Sequence, residues 1–446
     1  MNPESATLVA LIGRPNVGKS TLFNRMTRSR DAIVDPTPGV TRDRHYARVS
    51  LGEKKFTLVD TGGIDDEDDT ITSHIRGQAL QAMEEADVIL FLMDGREGLT
   101  PGDAEIADLL RRTEKPVLFV VNKIDGPEME GELLAPFWEL GMEKLLPLSA
   151  DHGYGFQSLA EELQAIIPAS GEEAGLPEGT IRLAFLGRPN VGKSSMINAI
   201  MGQERMVVSD IAGTTRDSVD TLLTHGSRNY LLIDTAGIRR KGKTRDKLEK
   251  FSILKALGAL SRCDIALVVI DAGEGITEQD TKVLGYTQEE GRACIILVNK
   301  WDLLKGDARR QKQLMEEVAM AASFMPFAPV LKVSALTGKG IKRIFPEIGK
   351  VFRQFNERFP TSALNQLLEN AVARHNPPYH KGRRLKFYYT AQIRTAPPTF
   401  AVVANAPKAV HFSYHRYLVN CFREGLGLDR VPVRVVFREK KKRPRK

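Results

Sequence analysis

Short apolar runs recur along most of the chain, separated by stretches in which apolar residues return every three or four positions. Short continuous runs are typical of buried strands, and the longer period is typical of amphipathic helices. The runs cover residues 8–12, 56–59, 88–93 and 117–121, and later residues 183–186, 231–233, 265–270 and 295–298. Because strands alternate with helices, the pattern predicts a mostly parallel sheet with helices on both faces.

The C-terminal part follows a different order of elements. A predicted helix over residues 361–376 has one apolar face, formed by Leu364, Leu367, Leu368, Ala371 and Val372. After it come strand-like runs at 385–395 and 399–404, a helix marked by Tyr414, Leu418, Cys421 and Phe422, and an alternating run at 431–437. The order α-β-β-α-β predicts a small α+β domain.

One octapeptide occurs twice in the chain. Gly-Arg-Pro-Asn-Val-Gly-Lys-Ser is found at residues 13–20 and again at residues 187–194, an offset of 174. Four shorter strings return in the same order: residues 39–43 with 213–217, 60–64 with 234–238, 122–125 with 299–302, and 149–150 with 334–335. Solenoid repeats span roughly 20–50 residues, so this period indicates a duplicated domain.

The repeated octapeptide contains the pattern G-x-x-x-x-G-K-S between a predicted strand and a predicted helix. That context is the one required of a phosphate-binding loop, in which backbone N–H groups surround the phosphates at a helix N-terminus. Lys19 and Lys193 are then placed to reach the β- and γ-phosphates, and Ser20 and Ser194 to ligate Mg²⁺.

The next two motifs suit a metal and a nucleotide-sensing loop. Asp60 and Asp234 each end an apolar run, where an acidic residue can hold the Mg²⁺ shell. Thr41 and Thr215 lie between the phosphate loop and that acid, so each can bind Mg²⁺ when a γ-phosphate orders its loop.

The string N-K-x-D predicts guanine as the base. The carboxylates of Asp125 and Asp302 can accept both N1–H and the exocyclic amine of guanine, a donor pair that adenine does not offer. Asn122 and Asn299 are expected to tether loops, and Lys123 and Lys300 to lie over the ring. The backbone N–H groups of the later Ser-Ala pairs are expected to contact the guanine oxygen.

Composition excludes several classes of protein. Of 446 residues, 42% are hydrophobic and 27% are charged, which is ordinary globular usage and excludes bulk disorder and a collagen-like fibre. Three scattered cysteines exclude a disulfide framework or a zinc site, and we expect reduced thiols. We see no basic N-terminal region of a signal peptide and no apolar run near the roughly 20 residues of a membrane span. We therefore expect a soluble, cytoplasmic protein.

Charge is unevenly distributed. Residues 1–180 carry −15, residues 181–355 carry +9 and residues 356–446 carry +14, within a total of +8. A basic C-terminal part predicts a polyanionic partner.

Taken in order, these motifs resemble those of Era-like GTPases. Two such domains in tandem, followed by a small basic domain, resemble the Der (EngA) family of bacterial ribosome-assembly GTPases over the whole chain. The resemblance implies an α/β fold with two tandem P-loop GTPase domains and a small α+β KH-like domain. We expect a first GTPase domain at 1–167, an acidic linker at 168–179, a second GTPase domain at 180–355, the KH-like domain at 356–439 and a basic tail at 440–446.

The resemblance also raises a question about catalysis. Ras-like proteins carry a glutamine that orients the attacking water, but Ile64 and Ile238 occupy that position here. By resemblance, Asn16 and Asn190 ligate a potassium ion beside the β/γ-phosphates, where a fixed cation stabilises developing charge. Alternatively, each asparagine only shapes its loop. We expect Lys19, Lys193, Thr41 and Thr215 to be the catalytic residues, acting by positioning and electrostatics.

The full set of expected site residues repeats between the copies. In the first copy it comprises Gly13, Arg14, Pro15, Asn16, Val17, Gly18, Lys19, Ser20, Thr21, Asp60, Thr61, Gly62, Gly63, Ile64, Asn122, Lys123, Ile124, Asp125, Ser149 and Ala150. In the second copy it comprises Gly187, Arg188, Pro189, Asn190, Val191, Gly192, Lys193, Ser194, Ser195, Asp234, Thr235, Ala236, Gly237, Ile238, Asn299, Lys300, Trp301, Asp302, Ser334 and Ala335. The expected magnesium ligands are Ser20, Thr41, Asp60, Ser194, Thr215 and Asp234.

The segments after the two isoleucines have opposite charge. Residues 65–69 are all acidic, whereas Arg239, Arg240, Lys241 and Lys243 are basic. Either both are solvated loops, or the acidic segment docks a basic domain and the basic segment meets RNA.

The C-terminal domain lacks the G-x-x-G backbone clamp of RNA-binding KH domains. Lys381, Arg383, Arg384 and Lys386 can still contact phosphates. The basic tail either binds RNA or only aids solubility.

We expect a GTPase that binds GTP or GDP with Mg²⁺ and K⁺. We expect its nucleotide to gate association with the large ribosomal subunit and its rRNA during assembly. We further expect a monomer without stable membrane association. Two alternatives remain open: a nucleotide-gated RNA-binding scaffold with negligible turnover, and a membrane-associated regulatory GTPase. We expect no RNA-modifying activity, since no residues are left to form a further catalytic domain.

Overall fold

The computed structural model describes residues 7–28, 46–52, 54–60, 71–167, 176–177, 179–202, 206–212, 219–233, 253–377, 379–380 and 383–439. Several predictions lie outside these residues: the roles of Thr41 and Thr215, the charged segments at 65–69 and 239–243, most of the linker and the basic tail. The chain divides into two compact units, Met1–Ala174 with Ser252–Arg262, and Gly175–Phe251 with Cys263–Lys446.

The first unit is built on a six-stranded sheet. Its strands are β1 (Thr7–Gly13), β2 (Tyr46–Leu51), β3 (Lys54–Asp60), β4 (Val88–Asp94), β5 (Val117–Asn122) and β6 (Leu146–Pro147). Its helices are α1 (Lys19–Arg28), α2 (Ile71–Glu85), α3 (Pro101–Leu110), α4 (Pro127–Leu134), a 3₁₀ turn (Ala135–Leu140) and α5 (Phe156–Ile166), together with α7 (Ile253–Arg262). The strand order is β2-β3-β1-β4-β5-β6, parallel except for β2.

Alternate residues of the central strands enter two different cores. In β1, Val9 and Leu11 pack on one face of the sheet, whereas Ala10 and Ile12 pack on the other. All seven residues of β4 are buried, as expected of a strand covered on both sides. The predicted layered α/β arrangement is confirmed.

The second unit repeats this plan with a seven-stranded sheet. Its strands are β7 (Ile181–Leu186), β8 (Met206–Ala212), β9 (Val219–His225), β10 (Arg228–Ile233), β11 (Ile265–Asp271), β12 (Ala293–Asn299) and β13 (Val330–Lys332). Its helices are α6 (Lys193–Met201), α8 (Glu278–Glu289), α9 (Ala308–Ala321) and α10 (Ile344–Asn356), with 3₁₀ turns at Trp301–Leu304 and Ile341–Arg343. The order is β13-β12-β11-β7-β10-β9-β8, in which β9 runs antiparallel to both of its neighbours, β10 and β8.

The C-terminal domain is a three-stranded sheet with two helices. Its elements are α11 (Thr361–Arg374), a hairpin of β14 (Tyr379–His380) and β15 (Arg383–Arg384), β16 (Phe387–Arg394), β17 (Thr399–Ala404), a 3₁₀ turn (Pro407–Ala409), α12 (Phe412–Gly425) and β18 (Arg434–Glu439). Strand β17 pairs antiparallel with β16 and parallel with β18. The predicted order is confirmed, with one small hairpin added.

The last strand begins later than the sequence predicts. Its ladder runs from Arg434 to Glu439, not from residue 431 to residue 437. Proline has no N–H to donate to a ladder, so Pro432 delays the pairing. Val431 and Val433 nevertheless lie in the core.

One hydrophobic core joins the second GTPase domain to the C-terminal domain. Phe355 of α10, Leu364 of α11 and Phe400 of β17 are fully buried in the same cluster as the sheet residues Leu267 and Leu297. These two domains therefore pack as one body.

Polar contacts cross the same boundary. Phe355 accepts a hydrogen bond from the Ala396 N–H at 2.9 Å. Arg430 forms an ion pair with Glu347, and Arg434 Nη2 donates to the Glu289 carbonyl at 2.8 Å.

Within the described residues, no helix is long and apolar enough to cross a membrane.

Candidate functional site

Both phosphate-loop motifs connect the first strand of their sheet to the following helix. Gly13 ends β1 and Lys19 begins α1, while Lys193 begins α6 after β7. The motif asparagines, Asn16 and Asn190, have left-handed backbones with φ of 65° and 63°. The loops thus share one conformation at the carboxyl edge of the sheet, where open α/β sheets bind ligands.

The motif lysines are held by their own loops. Lys19 Nζ donates to the carbonyls of Gly13 at 2.7 Å and Arg14 at 2.8 Å. Lys193 Nζ makes the same two bonds, to Gly187 at 2.8 Å and Arg188 at 2.7 Å. Each ammonium group therefore lies over the loop that we expect to hold the phosphates.

A hydroxyl and a carboxylate meet beside the first loop. Ser20 Oγ donates to Asp60 Oδ2 at 2.8 Å, and Asp60 is buried at the end of β3. Hydroxyl and carboxylate oxygens are donors that Mg²⁺ prefers, so these residues fit the metal. Ser194 occupies the matching position in the second copy, while Asp234 lies outside the described residues.

One asparagine in each copy connects the phosphate loop to the last motif. Asn122 Nδ2 donates to the Val17 carbonyl at 2.7 Å, and its Oδ1 accepts the Ala150 N–H at 2.9 Å. Asn299 does the same with Val191 at 2.9 Å and Ala335 at 3.0 Å. The loops expected at the two ends of a nucleotide are thus joined by a single side chain.

This connection explains one glycine of the motif. A Cβ on Gly18 would lie 2.2 Å from Asn122 Nδ2, and one on Gly192 would lie 2.4 Å from Asn299 Nδ2. Both glycines also have positive φ, at 99° and 96°. No other residue permits so close an approach at this backbone conformation.

The Ser-Ala pairs use their amides within the protein. Ser149 N–H donates to the Tyr154 carbonyl at 2.9 Å, and Ser334 N–H to the Lys339 carbonyl at 2.9 Å. The alanine amides donate to the asparagines described above. A guanine oxygen that used these amides would therefore share them with existing acceptors.

The two carboxylates of the N-K-x-D strings have different surroundings. Asp125 Oδ1 accepts from Ser149 Oγ at 2.7 Å, and its Oδ2 pairs with Arg96. The Ser149 hydroxyl and the Arg96 guanidinium hold the pKa of Asp125 below its usual value. In contrast, Asp302 Oδ1 is buried and has no hydrogen-bond partner among the residues the structure describes.

Two aspartates at this edge were not predicted from the sequence. Asp94 ends β4 and pairs with Lys123, and Asp271 ends β11 and pairs with Lys300 at 2.5 Å. Both aspartates are buried. Residues 94–98 and 271–275 share D-x-x-E-G at the offset of 177, and that repeat was the available signal.

The structure also assigns a local role to the arginine of each octapeptide. Arg14 Nε donates to Asp103 Oδ1 at 2.9 Å, and Arg188 Nε to Asp280 Oδ2 at 3.0 Å. Each aspartate lies in the first turn of its helix, α3 or α8, and forms a capping box with the N-cap threonine, Thr100 or Thr277. These arginines thereby anchor the phosphate loop to a neighbouring helix.

The structure brings most predicted residues to one edge of each sheet. Thr41, Thr61, Gly62, Gly63 and Ile64 lie outside the described residues, as do Thr215, Asp234, Thr235, Ala236, Gly237 and Ile238. Their roles remain predictions.

Family comparisons agree with this geometry. A family model described as a 50S ribosome-binding GTPase matches residues 8–123 and again residues 182–300. A model described as the C-terminal KH-domain-like region of EngA bacterial GTPases matches residues 358–438. GTPase Der of Syntrophobacter fumaroxidans is 50% identical over 444 residues, covering 98% of this chain and 99% of that protein. The chain belongs to the GTPase Der family.

Other Der proteins match over a similar span. GTPase Der of Desulforapulum autotrophicum is 49% identical over 97% of this chain and 90% of its own length. Among solved structures, Era of Aquifex aeolicus bound to GDP and AlF₄⁻ covers 74% of this chain and 93% of its own, at 20% identity and a TM-score of 0.30. Membership of the Der family confirms the predicted GTPase class and the C-terminal KH-like domain.

Proposed function

We propose that this Der-family chain hydrolyses GTP to GDP and phosphate at two sites, and that bound nucleotide gates its association with the large ribosomal subunit during assembly. The observation that carries the proposal is the matched pair of connections from Asn122 and Asn299 to their phosphate loops. Each connection fixes the spacing between a phosphate loop and a base loop, as a nucleoside triphosphate requires.

In this proposal, each sheet edge holds one nucleotide. Lys19 and Lys193 bind the β- and γ-phosphates, while Asp125 and Asp302 accept the guanine N–H groups. Ser20 with Asp60, and Ser194 with Asp234, hold Mg²⁺. When bound, the metal neutralises charge that develops on the transferred phosphoryl group.

Potassium is part of the proposal. The paired asparagines Asn16 and Asn190 are exposed on loops of matching backbone, and each offers an amide oxygen. We expect turnover to fall when sodium replaces potassium at constant ionic strength. Unchanged turnover would remove potassium but leave GTP binding intact.

In this proposal, backbone groups position the attacking water. With isoleucine at positions 64 and 238, we assign the attacking water to the main-chain carbonyls of Thr41 and Thr215. Proximity and fixed charge then supply the rate enhancement.

The ribosomal partner is supported by charge and by the family description. The chain carries an excess of basic residues after residue 180, and phosphate contacts supply most of the affinity for RNA. The family model that matches both GTPase domains is described as ribosome-binding. We propose that the chain acts as a cytoplasmic monomer on large-subunit rRNA.

The experiment is co-sedimentation of the full chain with purified large ribosomal subunits at physiological salt. A non-hydrolysable GTP analogue is compared with GDP, and small subunits serve as the control. We expect binding to large subunits with the analogue and release with GDP. Equal binding in both states would remove the gate, and no binding would remove the ribosomal role.

A further inference from the structure

The first base site contains an ion pair that occupies its carboxylate. Arg96 Nη2 contacts Asp125 Oδ2, and Ser149 Oγ donates to Asp125 Oδ1 at 2.7 Å. The Arg96 side chain is 59% exposed, whereas that of Asp125 is 24% exposed. Both oxygens that guanine requires are therefore engaged by this chain's own side chains.

The second base site lacks this arginine. Asp94 aligns with Asp271 in the repeat. The residue two positions later is Arg96 in the first copy and Gly273 in the second. The local backbones also match: Arg96 N–H donates to Asp94 Oδ1 at 3.0 Å, and Gly273 N–H to Asp271 Oδ1 at 2.8 Å. At this position the two sites thus carry different side chains on a common backbone frame.

The other residues around the two carboxylates, Asp125 and Asp302, also differ between the sites. In the first site, His152 Nε2 lies 3.9 Å from Asp125 Oδ1. In the second site, the corresponding position is Thr337, and exposed Leu303 and Leu336 lie beside the motif. The first site is thus bordered by an arginine and a histidine, and the second by a threonine and two exposed leucines.

We propose that Arg96 is an affinity-determining residue that weakens guanine nucleotide binding at the first site relative to the second. This inference rests on the proposed function, in which Asp125 and Asp302 bind guanine. A carboxylate accepts N1–H and the exocyclic amine through its two oxygens, so guanine must displace the Arg96 guanidinium. At the second site, Asp302 Oδ1 is buried and unpaired among the described residues, so no such exchange is needed.

The expected change in nucleotide affinity depends on how exposed the Arg96–Asp125 ion pair is. Exposed ion pairs contribute up to about 1 kcal/mol, which corresponds to a change of up to roughly fivefold in dissociation constant. Salt screens an exposed pair, so the effect of Arg96 should shrink as ionic strength rises. A residue that acts only on local folding would show no such salt dependence.

The test measures binding of a fluorescent GDP analogue to the full chain. Lys193→Ala leaves the first site as the single nucleotide site, with a stoichiometry of one. In this background, Arg96→Gly should tighten binding about two- to fivefold at low salt, and the two dissociation constants should converge at high salt.

The second copy supplies the matched control. In a Lys19→Ala background, Gly273→Arg should weaken binding at the second site by a similar factor. A Cβ at Gly273 would lie 3.0 Å from Leu303 Cδ1, the end of an exposed side chain that can move. Gly273→Ala separates this steric effect from that of the charge.

The outcomes separate this inference from the proposed function. Asp125→Asn should shift first-site preference from guanine to xanthine nucleotides, and absence of that shift would overturn the base-site assignment itself. If the shift occurs but Arg96→Gly leaves the affinity unchanged or weaker, the role of Arg96 is overturned alone.

Discussion

Asn122 connects two loops that are distant from it in the sequence. Its side chain contacts Val17, which is 105 residues away, and Ala150, which is 28 residues away. Its side chain is buried, so removing it leaves the Val17 carbonyl and the Ala150 N–H without their partner. Leaving a buried polar group unsatisfied costs about 1–3 kcal/mol. The positions of both loops should therefore depend on this residue.

We expect Asn122→Ala to weaken first-site GDP binding by roughly 10–100-fold, the range that corresponds to about 1.4–2.8 kcal/mol. The measurement is titration with a fluorescent GDP analogue in the Lys193→Ala background. Asn299→Ala, read in the Lys19→Ala background, is the matched test at the second site. An affinity within twofold of the parent would contradict the connecting role.

At the residue scale, the repeat predicted the asparagines but not their neighbours. The spacing of N-K-x-D assigns Asn122 and Asp125 to one loop because these residues are close in sequence. The pairing of Arg96 with Asp125 joins the ends of β4 and β5, and depends on those strands being neighbours. Sequence spacing alone does not reveal such contacts between strands.

At the scale of elements, one aspartate in each GTPase domain connects the first strand of the sheet to the start of a neighbouring strand. Asp87, just before β4, accepts the Leu8 N–H at 2.7 Å, and Asp264, just before β11, accepts the Arg182 N–H at 2.8 Å. Burial raises the pKa of both carboxyl groups above the usual value. The raised pKa means that the folded state binds a proton more readily than the unfolded state.

The sign of the pH effect follows from this shift. The contribution of Asp264 to stability is present below its unfolded pKa, near 3.8, and is lost as the pH rises through the folded value. We expect Asp264→Asn to flatten the decline in the free energy of unfolding of the second unit above about pH 4, because asparagine retains an acceptor and does not titrate. Denaturant titration between pH 4 and pH 7 measures this difference.

Asp87→Asn makes the equivalent change in the first unit. It is the control, because it should leave the pH dependence of the second unit's stability unchanged. A wild-type and an Asp264→Asn protein with parallel stability profiles across that pH range would contradict the prediction.

Central elements were predicted better than edge elements. All eight apolar runs became strands, because a strand buried on both faces needs an unbroken apolar sequence. The strands β2, β8 and β9, at or next to the antiparallel edge of each sheet, were missed, since they mix polar with apolar residues. Strand β13 has only three residues, and all three are at least partly exposed. A short edge strand is specified by its neighbour more than by its own sequence.

At the scale of the whole molecule, the second GTPase domain and the KH-like domain share a core. Phe400 is fully buried, and its ring stacks on Phe422 at 4.9 Å between centroids. Removing a buried phenylalanine side chain costs about 3–5 kcal/mol. Because the core is continuous, we expect this loss to destabilise both domains together.

We therefore expect Phe400→Ala to lower the unfolding midpoint reported by Trp301, which lies in the second GTPase domain and is 7% exposed. Trp138→Phe removes the other tryptophan of the chain, so that fluorescence reports Trp301 alone. Phe412→Ala, at a half-exposed position of the same KH-like domain, is the control and should shift the midpoint little. Loss of KH-like structure with an unchanged Trp301 transition would show that the domains unfold separately.

The sequence could not reveal this shared core. Both domains were predicted separately, with a boundary at residue 355 that remains a prediction. Leu364 and Leu368 were expected on the apolar face of a helix, and both are buried. Amphipathic patterning shows that a face is covered but does not identify the covering element.

The shared core also restricts how the KH-like domain can be transplanted. A graft that began after residue 356 would leave behind Phe355, whose ring lies in the common core and whose carbonyl accepts the Ala396 N–H. A graft that began before Ile344 would carry a helix whose other contacts belong to the GTPase sheet. The smallest portable module is therefore the second GTPase domain together with its KH-like domain, and chimaeras between relatives should exchange the two as one piece.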